Sequence, residues 1–323
     1  MKNKKILIVG GTGSFGNALA HKLLEMEVRQ IRIFARNEAK MIEIKRTLSD
    51  KRVEIVLGDV RDKKRLLEAS SDCDIIFHLA ALKHVLICET APNEAILTNV
   101  IGTNNIIDCA NANKVAKVIY ISTDKAVNAN CTYGCTKLLG EKLMLAANQN
   151  SILTKFIVFR CGNLLASEGS VIPLFKKQIS EKQTVTLTDK DMNRFFINIP
   201  KACELLIESA IRGAGGEIFI ARMPSLWIYD IAKYLVYKYG LDESIIVVTG
   251  LRPGEKNNEC LATQEETKHI YCVNDELYII EAEDRHSWII NDFIKKDNNF
   301  LYHSQDAVIS YEQTVEFLKA ANI

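Results

Sequence analysis

The sequence has no excess charge of either sign, no long apolar run and no paired-cysteine motif. Lys plus Arg is 41 and Asp plus Glu is 40, a formal net charge of +1. That balance gives no electrostatic footprint for bulk nucleic-acid or anionic-membrane binding. No apolar run approaches the ~18 residues of a membrane span, so no membrane partner is expected. The start, MKNKKILIVGG, is basic and then apolar like a signal peptide, but the run ends in glycines after residues 5–9. It is too short for an h-region. Nine cysteines, an odd number, are scattered from Cys73 to Cys272 without a CxxC pair. They argue against a disulfide framework or a metal site and for a reducing cytoplasm. What remains is ordinary globular composition: 323 residues, 48% hydrophobic and 25% charged, about two domains at ~150 residues each.

Short apolar runs at 5–9, 31–35, 53–57, 74–80, 117–122 and 155–160 alternate with helix-length segments such as 17–28, 92–113 and 133–148. The runs are nearly continuous in Ile, Val, Leu and Phe, as strands covered on both faces must be. Strand and helix in regular succession predict an α/β fold, a Rossmann-like doubly wound parallel sheet with right-handed crossovers. After about residue 163 the rhythm breaks. Helices are expected at 172–182, 202–212 and 228–239, the last stopped by Gly240, with a short strand at 184–188 and a charged Pro-Gly turn at 251–256. From about Asp284 the chain is polar and then helical at 311–321. The expected organisation is a dinucleotide-binding domain at 1–164, a smaller second region at 165–290 and a tail at 291–323. Helix 202–212 of the second region is expected to pack on the first.

Gly10-Gly11-Thr12-Gly13-Ser14-Phe15-Gly16 follows the first strand directly and opens the first helix. Glycines at 10, 13 and 16 permit a tight turn, close approach of a pyrophosphate and packing of helix on sheet, while free N–H groups at the helix start hold the phosphates. The second strand ends in Ala35-Arg36-Asn37-Glu38. An acidic residue there suits the ribose hydroxyls of NAD, whereas Arg suits a 2′-phosphate. Arg36, helped by Lys40 and flanked by Asn37, points to NADP. Gly58-Asp59-Val60 ends the third strand, where a loop would cover the adenine.

Ser122-Thr123-Asp124-Lys125 ends the fifth strand, and Tyr133-Gly-Cys-Thr-Lys137 starts the next helix. Tyr133 and Lys137, at i and i+4, share one helical face. A Lys137 ammonium near the phenol would lower its pKa and make Tyr133 a base for a hydroxyl proton.

These stretches, with HLAALKHV (78–85), RCGN (160–163), GSVIPLF (169–175), NRFFI (193–197), GGEIF (215–219) and RPGEK (252–256), resemble an extended short-chain dehydrogenase/reductase. The resemblance is narrowest to the polysaccharide-biosynthesis branch that contains UDP-N-acetylglucosamine 4,6-dehydratases, including the inverting enzymes of pseudaminic acid synthesis. It runs over about residues 4–283. It implies a UDP-sugar substrate, an NADP cofactor kept at the end of each turnover, and a homo-oligomer, dimeric or hexameric. Tyr133 would deprotonate the 4-hydroxyl as hydride leaves carbon 4, with Thr123 holding that hydroxyl. Lys125 would take the proton from carbon 5, and Asp124 would protonate the departing 6-hydroxyl. Hydride would return to carbon 6. Leu79, Ala80 and Lys83 would touch the cofactor, Lys83 the substrate as well. Asn163, Arg194, Arg252 and Glu255 would bind the sugar diphosphate and UDP. A lysine base must be neutral, and Lys83 and Lys137 nearby would depress Lys125 by like charge.

Several positions depart from the branch. Glu168 stands where an arginine commonly contacts substrate; it would repel a diphosphate unless the loop turns outward or the contacts differ. Ala129 replaces a proline before the tyrosine. Cys131 is either small packing material or a proton donor to carbon 5. His78 reads as a satisfied core histidine, His84 is open, and Asn99 would brace the active-site backbone. The same Tyr, Lys and NADP would also serve a 5,6-dehydratase giving the 5,6-ene sugar, or a 4-oxidase/5-epimerase acting on it. A non-catalytic NADP-binding regulator would keep the glycine turn and lose the Tyr-Lys pair, and this sequence keeps both.

Overall fold

The computed structural model describes residues 1–181, 184–281, 294–295 and 302–323. Six strands of the first half, β1 (Lys5–Val9), β2 (Gln30–Ala35), β3 (Val53–Leu57), β4 (Ile75–His78), β5 (Lys117–Thr123) and β6 (Lys155–Cys161), lie parallel in the order 3-2-1-4-5-6. Every residue of β4, and Ile6 to Val9 of β1, is buried. Helices on both faces account for their unbroken apolar character. These are α1 (Ser14–Leu24), α2 (Glu38–Thr47), α3 (Lys63–Ala69), α4 (Val85–Thr90), α5 (Pro92–Ala95), α6 (Gly102–Ala112) and α7 (Thr132–Asn150). Strand order reverses between β1 and β4, so their carboxyl ends open a crevice where such sheets bind ligands.

The helix expected over 92–113 is interrupted. Ile96–Ile101 forms a π-helical turn between α5 and α6. Within it Asn99 is buried and its side chain is fully engaged. Oδ1 accepts from the Leu82 N–H at 2.8 Å, and Nδ2 donates to the Leu82 carbonyl at 2.9 Å and to Thr136 Oγ1 at 3.0 Å. One side chain thus ties the loop after β4 to α7.

Beyond Cys161 the chain serves two layers. β7 (Asn163–Leu164), β9 (Asn193–Ile197) and β11 (Ser225–Trp227) form a small sheet, and β8 (Val185–Leu187) pairs with β12 (Ile246–Val248). With α8 (Val171–Ser180), α10 (Ile228–Lys238) and α11 (Tyr311–Ala320) they enclose a second core around Phe175, Phe196, Leu226 and Leu235. β10 (Ile218–Ala221), β13 (Ile270–Asn274), β14 (Leu277–Ile280) and β15 (Ile294–Lys295) instead extend the large sheet to ten strands. β10 is parallel to β6, and the outer three pairings are antiparallel. α9 (Ile199–Arg212) packs on α1. The 165–290 stretch therefore contributes to both layers. Lys182, the end of the expected helix, and most of the polar stretch from Asp284 lie outside the described residues.

A buried ion triad fastens the two halves. Arg160 on β6 bonds Glu141 of α7 at 2.8 and 2.6 Å, Glu266 at 2.8 and 2.7 Å, and the Leu261 carbonyl. Its side chain is 2% exposed.

Candidate active site

A cleft of about 620 Å³ opens at the β1/β4 reversal and runs to the start of α7. Its floor is the glycine turn. A Cβ on Gly10, whose φ is +84°, would stand 2.6 Å from the Ala80 nitrogen, and one on Gly16 would stand 2.5 Å from the Gly11 Cα. Gly13 caps α1 with no side-chain bond, and a Cβ there would meet only the Gly10 oxygen at 3.5 Å. The first turn of α1 therefore offers backbone N–H groups to an anion. Thr12, Ser14, Phe15, Leu79, Ala80, Asp59 and Val60 line the same cleft. A dinucleotide fits this cradle.

The rim cations are already paired. Arg36 lies 3.8 Å from Asp59, and Arg61 holds the Asp59 carboxyl below its ordinary range against the cost of burial. Lys40 is bound to the Glu168 carboxylate, while the Asn37 side chain caps α2 by accepting the Lys40 N–H at 3.0 Å. Glu168 belongs to the cleft lining through its backbone contacts, while its side chain is 68% exposed on Lys40. Its N–H donates to Ser14 Oγ at 3.2 Å and its carbonyl accepts from Lys83 Nζ at 2.8 Å. Next to it, Gly169 sits against the His84 ring. Burial lowers the Lys83 pKa.

At the far end, Thr123, Lys125, Tyr133 and Lys137 all line the cleft. Residues Asp124–Ala126 form a 3-10 turn directly after β5. α7 can press against it because residue 134 is glycine; a Cβ there would lie 2.1 Å from the Lys125 carbonyl oxygen. Asp124 is fully buried, and its Oδ1 accepts from Thr123 Oγ1 at 2.8 Å and Lys125 Nζ at 3.0 Å. Cys131 is the N-cap of α7, its Sγ accepting from the Gly134 N–H at 3.4 Å, and burial pushes its thiol up.

Two electrostatic expectations are corrected. The Lys137 ammonium is turned to the Ile121 carbonyl and lies 3.8 Å over the Tyr120 ring. Burial lowers Lys137 to about 7. Tyr133 is not lowered by Lys137: burial, with Asp124 adding to it, raises the phenol, and Thr123 pulls the other way. Lys125 is not depressed by like charge either. Burial disfavours its ammonium, but Asp124 and Glu259, the latter at 3.8 Å, outweigh that cost and leave its pKa raised. Glu259 carries no motif signal beyond standing three residues after the RPGEK turn.

The outer substrate candidates are placed differently. Asn163 lines the cleft and donates to the Phe195 carbonyl at 3.0 Å. Arg194 is buried away from the cleft lining, donating to the carbonyls of Asn193, Asn257 and Lys256 at 2.8, 2.9 and 2.6 Å. Its guanidinium is spent on backbone. Arg252 and Glu255 form an exposed turn closed on itself, the Glu255 carboxylate accepting the Arg252 N–H at 3.1 Å. His78 is buried and held neutral, its pKa lowered by burial to about 3. Its Nε2 pairs with Thr103 Oγ1 at 3.0 Å, while Nδ1 has no partner among the described residues. Among the described residues no His/Cys/Asp/Glu group could hold a metal ion, and no helix is long and apolar enough to cross a membrane.

A family model described as polysaccharide biosynthesis protein matches residues 6–281. The chain is 41% identical over 305 residues to an inverting UDP-N-acetylglucosamine 4,6-dehydratase of Campylobacter jejuni, covering 93% of this chain and 87% of that one. It is 40% identical over 270 residues to a UDP-glucose 4-epimerase of Rickettsia bellii, covering 82% and 79%. It is also 40% identical over 327 residues to an uncharacterised membrane protein of Methanocaldococcus jannaschii, covering 98% and 96%. The solved structure of Pen from Bacillus thuringiensis is 35% identical, covers 99% of each chain and superposes with a TM-score of 0.91.

Proposed function

The chain belongs to the polysaccharide biosynthesis protein family, and on that premise we propose that it is a nucleotide-sugar dehydratase or epimerase, and within that class an NADP-dependent UDP-N-acetylglucosamine 4,6-dehydratase, inverting at carbon 5. The observation that carries the reading is the meeting of Thr123, Lys125 and Tyr133 in one cleft with the glycine cradle, Asp124 buried behind them. When bound along the glycine turn, the dinucleotide supplies a hydride acceptor and donor. Tyr133 takes the 4-hydroxyl proton, and Thr123 orients that hydroxyl. The 4-ketone so formed acidifies carbon 5, from which Lys125 removes the proton. Asp124, hydrogen-bonded to Lys125 Nζ, enters this step as the acid, gives its proton to the departing 6-hydroxyl, which leaves as water, and becomes the carboxylate that pairs the new Lys125 ammonium. Return of a solvent-derived proton to carbon 5 from the opposite face fixes the inverted configuration, as hydride passes to carbon 6. Arg36 and Lys40 would hold a 2′-phosphate after exchanging their carboxylate partners for it.

Exposed Leu86, Ile87, Ile96, Leu97, Ile101 and Leu139 lie on the mutually packed α4–α7 segment, each 41–53% exposed. This apolar face favours self-association into a homo-oligomer; its size, dimeric or hexameric, and work in the cytoplasm on sugars for surface glycans, pseudaminic acid among them, are what the sequence resemblance implies. Light scattering tests the assembly. The catalytic reading is tested by incubating the protein with UDP-N-acetylglucosamine in deuterated water and following the sugar by NMR. A 4-keto-6-deoxy product with deuterium at carbon 5 is expected; neither appearing would sink the reading.

A second reading follows from Glu168, a residue of the cleft lining whose carboxylate occupies Lys40, a cation assigned to the cofactor phosphate. There the enzyme would make the 5,6-ene sugar, or oxidise carbon 4 of that compound and invert carbon 5. Rapid turnover of the ene with sluggish turnover of the parent sugar would select it.

A further inference from the structure

Lys125 is the one residue at this site whose task depends on being both free of a proton before the step and charged after it. When it takes the proton from carbon 5, a C–H bond breaks and an N–H bond forms, and the electron pair stays on the sugar, delocalised into the 4-ketone. A buried ammonium is left behind. Such a charge is costly unless paired. The structure supplies two carboxylates for it, and sequence motifs account for only one.

The second is Glu259. Its residue is 4% exposed, and its backbone is clamped to the 303–304 segment by two bonds. The Glu259 N–H donates to Ser304 Oγ at 2.9 Å, and its carbonyl accepts the Ser304 N–H at 2.8 Å. The side chain reaches to 3.8 Å from Lys125 Nζ. Oε2 of Glu259 and Oδ2 of Asp124 are both buried with no hydrogen-bond partner among the described residues. Two acceptor oxygens held out of water beside one ammonium form a site short of donors. Glu259 does not line the cleft, whereas Lys125 does.

We propose that Glu259 is a positioning residue that shares the Lys125 ammonium with Asp124 and so sets the proton affinity of the carbon 5 base. This rests on the dehydratase reading for the identity of the step, not for the hold on Lys125. The other titratable groups around Lys125 do not supply the effect. Arg194 on β9 is cationic, lies 4.0 Å from Glu259 Oε1 and opposes it. Lys256, whose ammonium sits on the Asn128 carbonyl at 2.5 Å, acts on Glu259 instead: burial raises the Glu259 carboxyl, and Lys125, Arg194 and Lys256 pull it back down. Tyr133 and Cys131 on α7 and Cys161 on β6 are all pushed upward by burial and are uncharged near neutrality.

The test pairs a titration with a rate, on the full chain with NADP added. Lys125 acetylation by acetic anhydride is read by peptide mass spectrometry across pH, with no sugar present. Deuterium uptake at carbon 5 from deuterated water is followed across the same range with UDP-N-acetylglucosamine. In Glu259→Gln the Lys125 titration and the rising limb of the exchange profile both move to lower pH by about one unit or more, the scale of losing one close opposite charge. Glu259→Asp, which keeps the charge one methylene further back, falls between wild type and Gln; it also decides the matter if the Gln variant does not fold. An unmoved Lys125 titration in either variant overturns the proposal. So does a lower plateau with an unmoved limb, the mark of a merely structural role. A shifted titration in a protein inert toward UDP-sugars leaves Glu259 standing and removes the dehydratase reading.

Discussion

Lys83 donates its ammonium to the Glu168 carbonyl at 2.8 Å, although 85 positions separate them in the chain. With the Glu168 carboxylate on Lys40 and its N–H on Ser14, this draws the 167–170 strap across the dinucleotide cleft. The carboxylate that would repel a bound phosphate is held by the cation assigned to that phosphate. Glu168→Ala therefore tightens NADP by about two- to fivefold, the scale of one exposed ion pair, and leaves NAD little changed. Titration calorimetry with both dinucleotides checks this; an unaltered NADP-to-NAD ratio contradicts it.

Arg160 is buried between Glu141 and Glu266. Removing it leaves the Glu141 carboxylate, 1% exposed, without its partner. Arg160→Met is expected to cost about 3–5 kcal/mol in urea denaturation. Adding Glu141→Leu recovers a large part of that, because the second change removes the stranded charge.

His78 gives the fold an acid sensitivity. Its folded pKa is lowered from 6.5 to about 3 by burial, with Lys137 adding to the effect. The unfolded chain binds the proton first, so stability falls as pH drops through 6.5 and goes on falling to about 3. Urea midpoints measured over that window should decline for the wild type and decline less steeply for His78→Gln. Lys137 acts in the same sense at higher pH: with a folded value of about 7 against 10.5, stability rises between those limits.

Arg252 and Arg194, paired as diphosphate ligands on sequence grounds, should separate experimentally. Arg252 is exposed in its turn and outside the cleft lining, so Arg252→Ala leaves Tm little changed, and it raises KM for the UDP-sugar if the proposed UDP contact is made there. Arg194 satisfies three backbone carbonyls, so Arg194→Ala lowers Tm whatever it does to KM. Equal behaviour of the two variants would contradict these placements.

The inner strands were legible because a strand covered on both faces must be apolar throughout; residues 5–9 form such a strand from end to end. The glycine turn was legible because a close approach of backbone to backbone leaves no room for a side chain at Gly10 or Gly16. Ile218–Ala221 and Leu277–Ile280 are short apolar runs outside the strand–helix rhythm, and nothing local says that they join the large sheet. Charge states were least legible. Lys125 meets Glu259 across 134 positions of chain, and Lys137 turns to the Ile121 carbonyl, contacts that exist only after folding. Arg160, an arginine inside an otherwise apolar strand, is a local sign of a buried ion network, though its partners Glu141 and Glu266 are fixed only by the fold.

On the dehydratase reading one active site oxidises carbon 4, eliminates across carbons 5 and 6, and reduces carbon 6, and UDP-N-acetylglucosamine deuterated at carbon 4 follows that hydride through all three steps. The label should leave carbon 4 and appear at carbon 6 of a 4-keto-6-deoxy sugar. Label recovered at carbon 4 of a 5,6-ene product, or no conversion by protein that binds NADP, would contradict it.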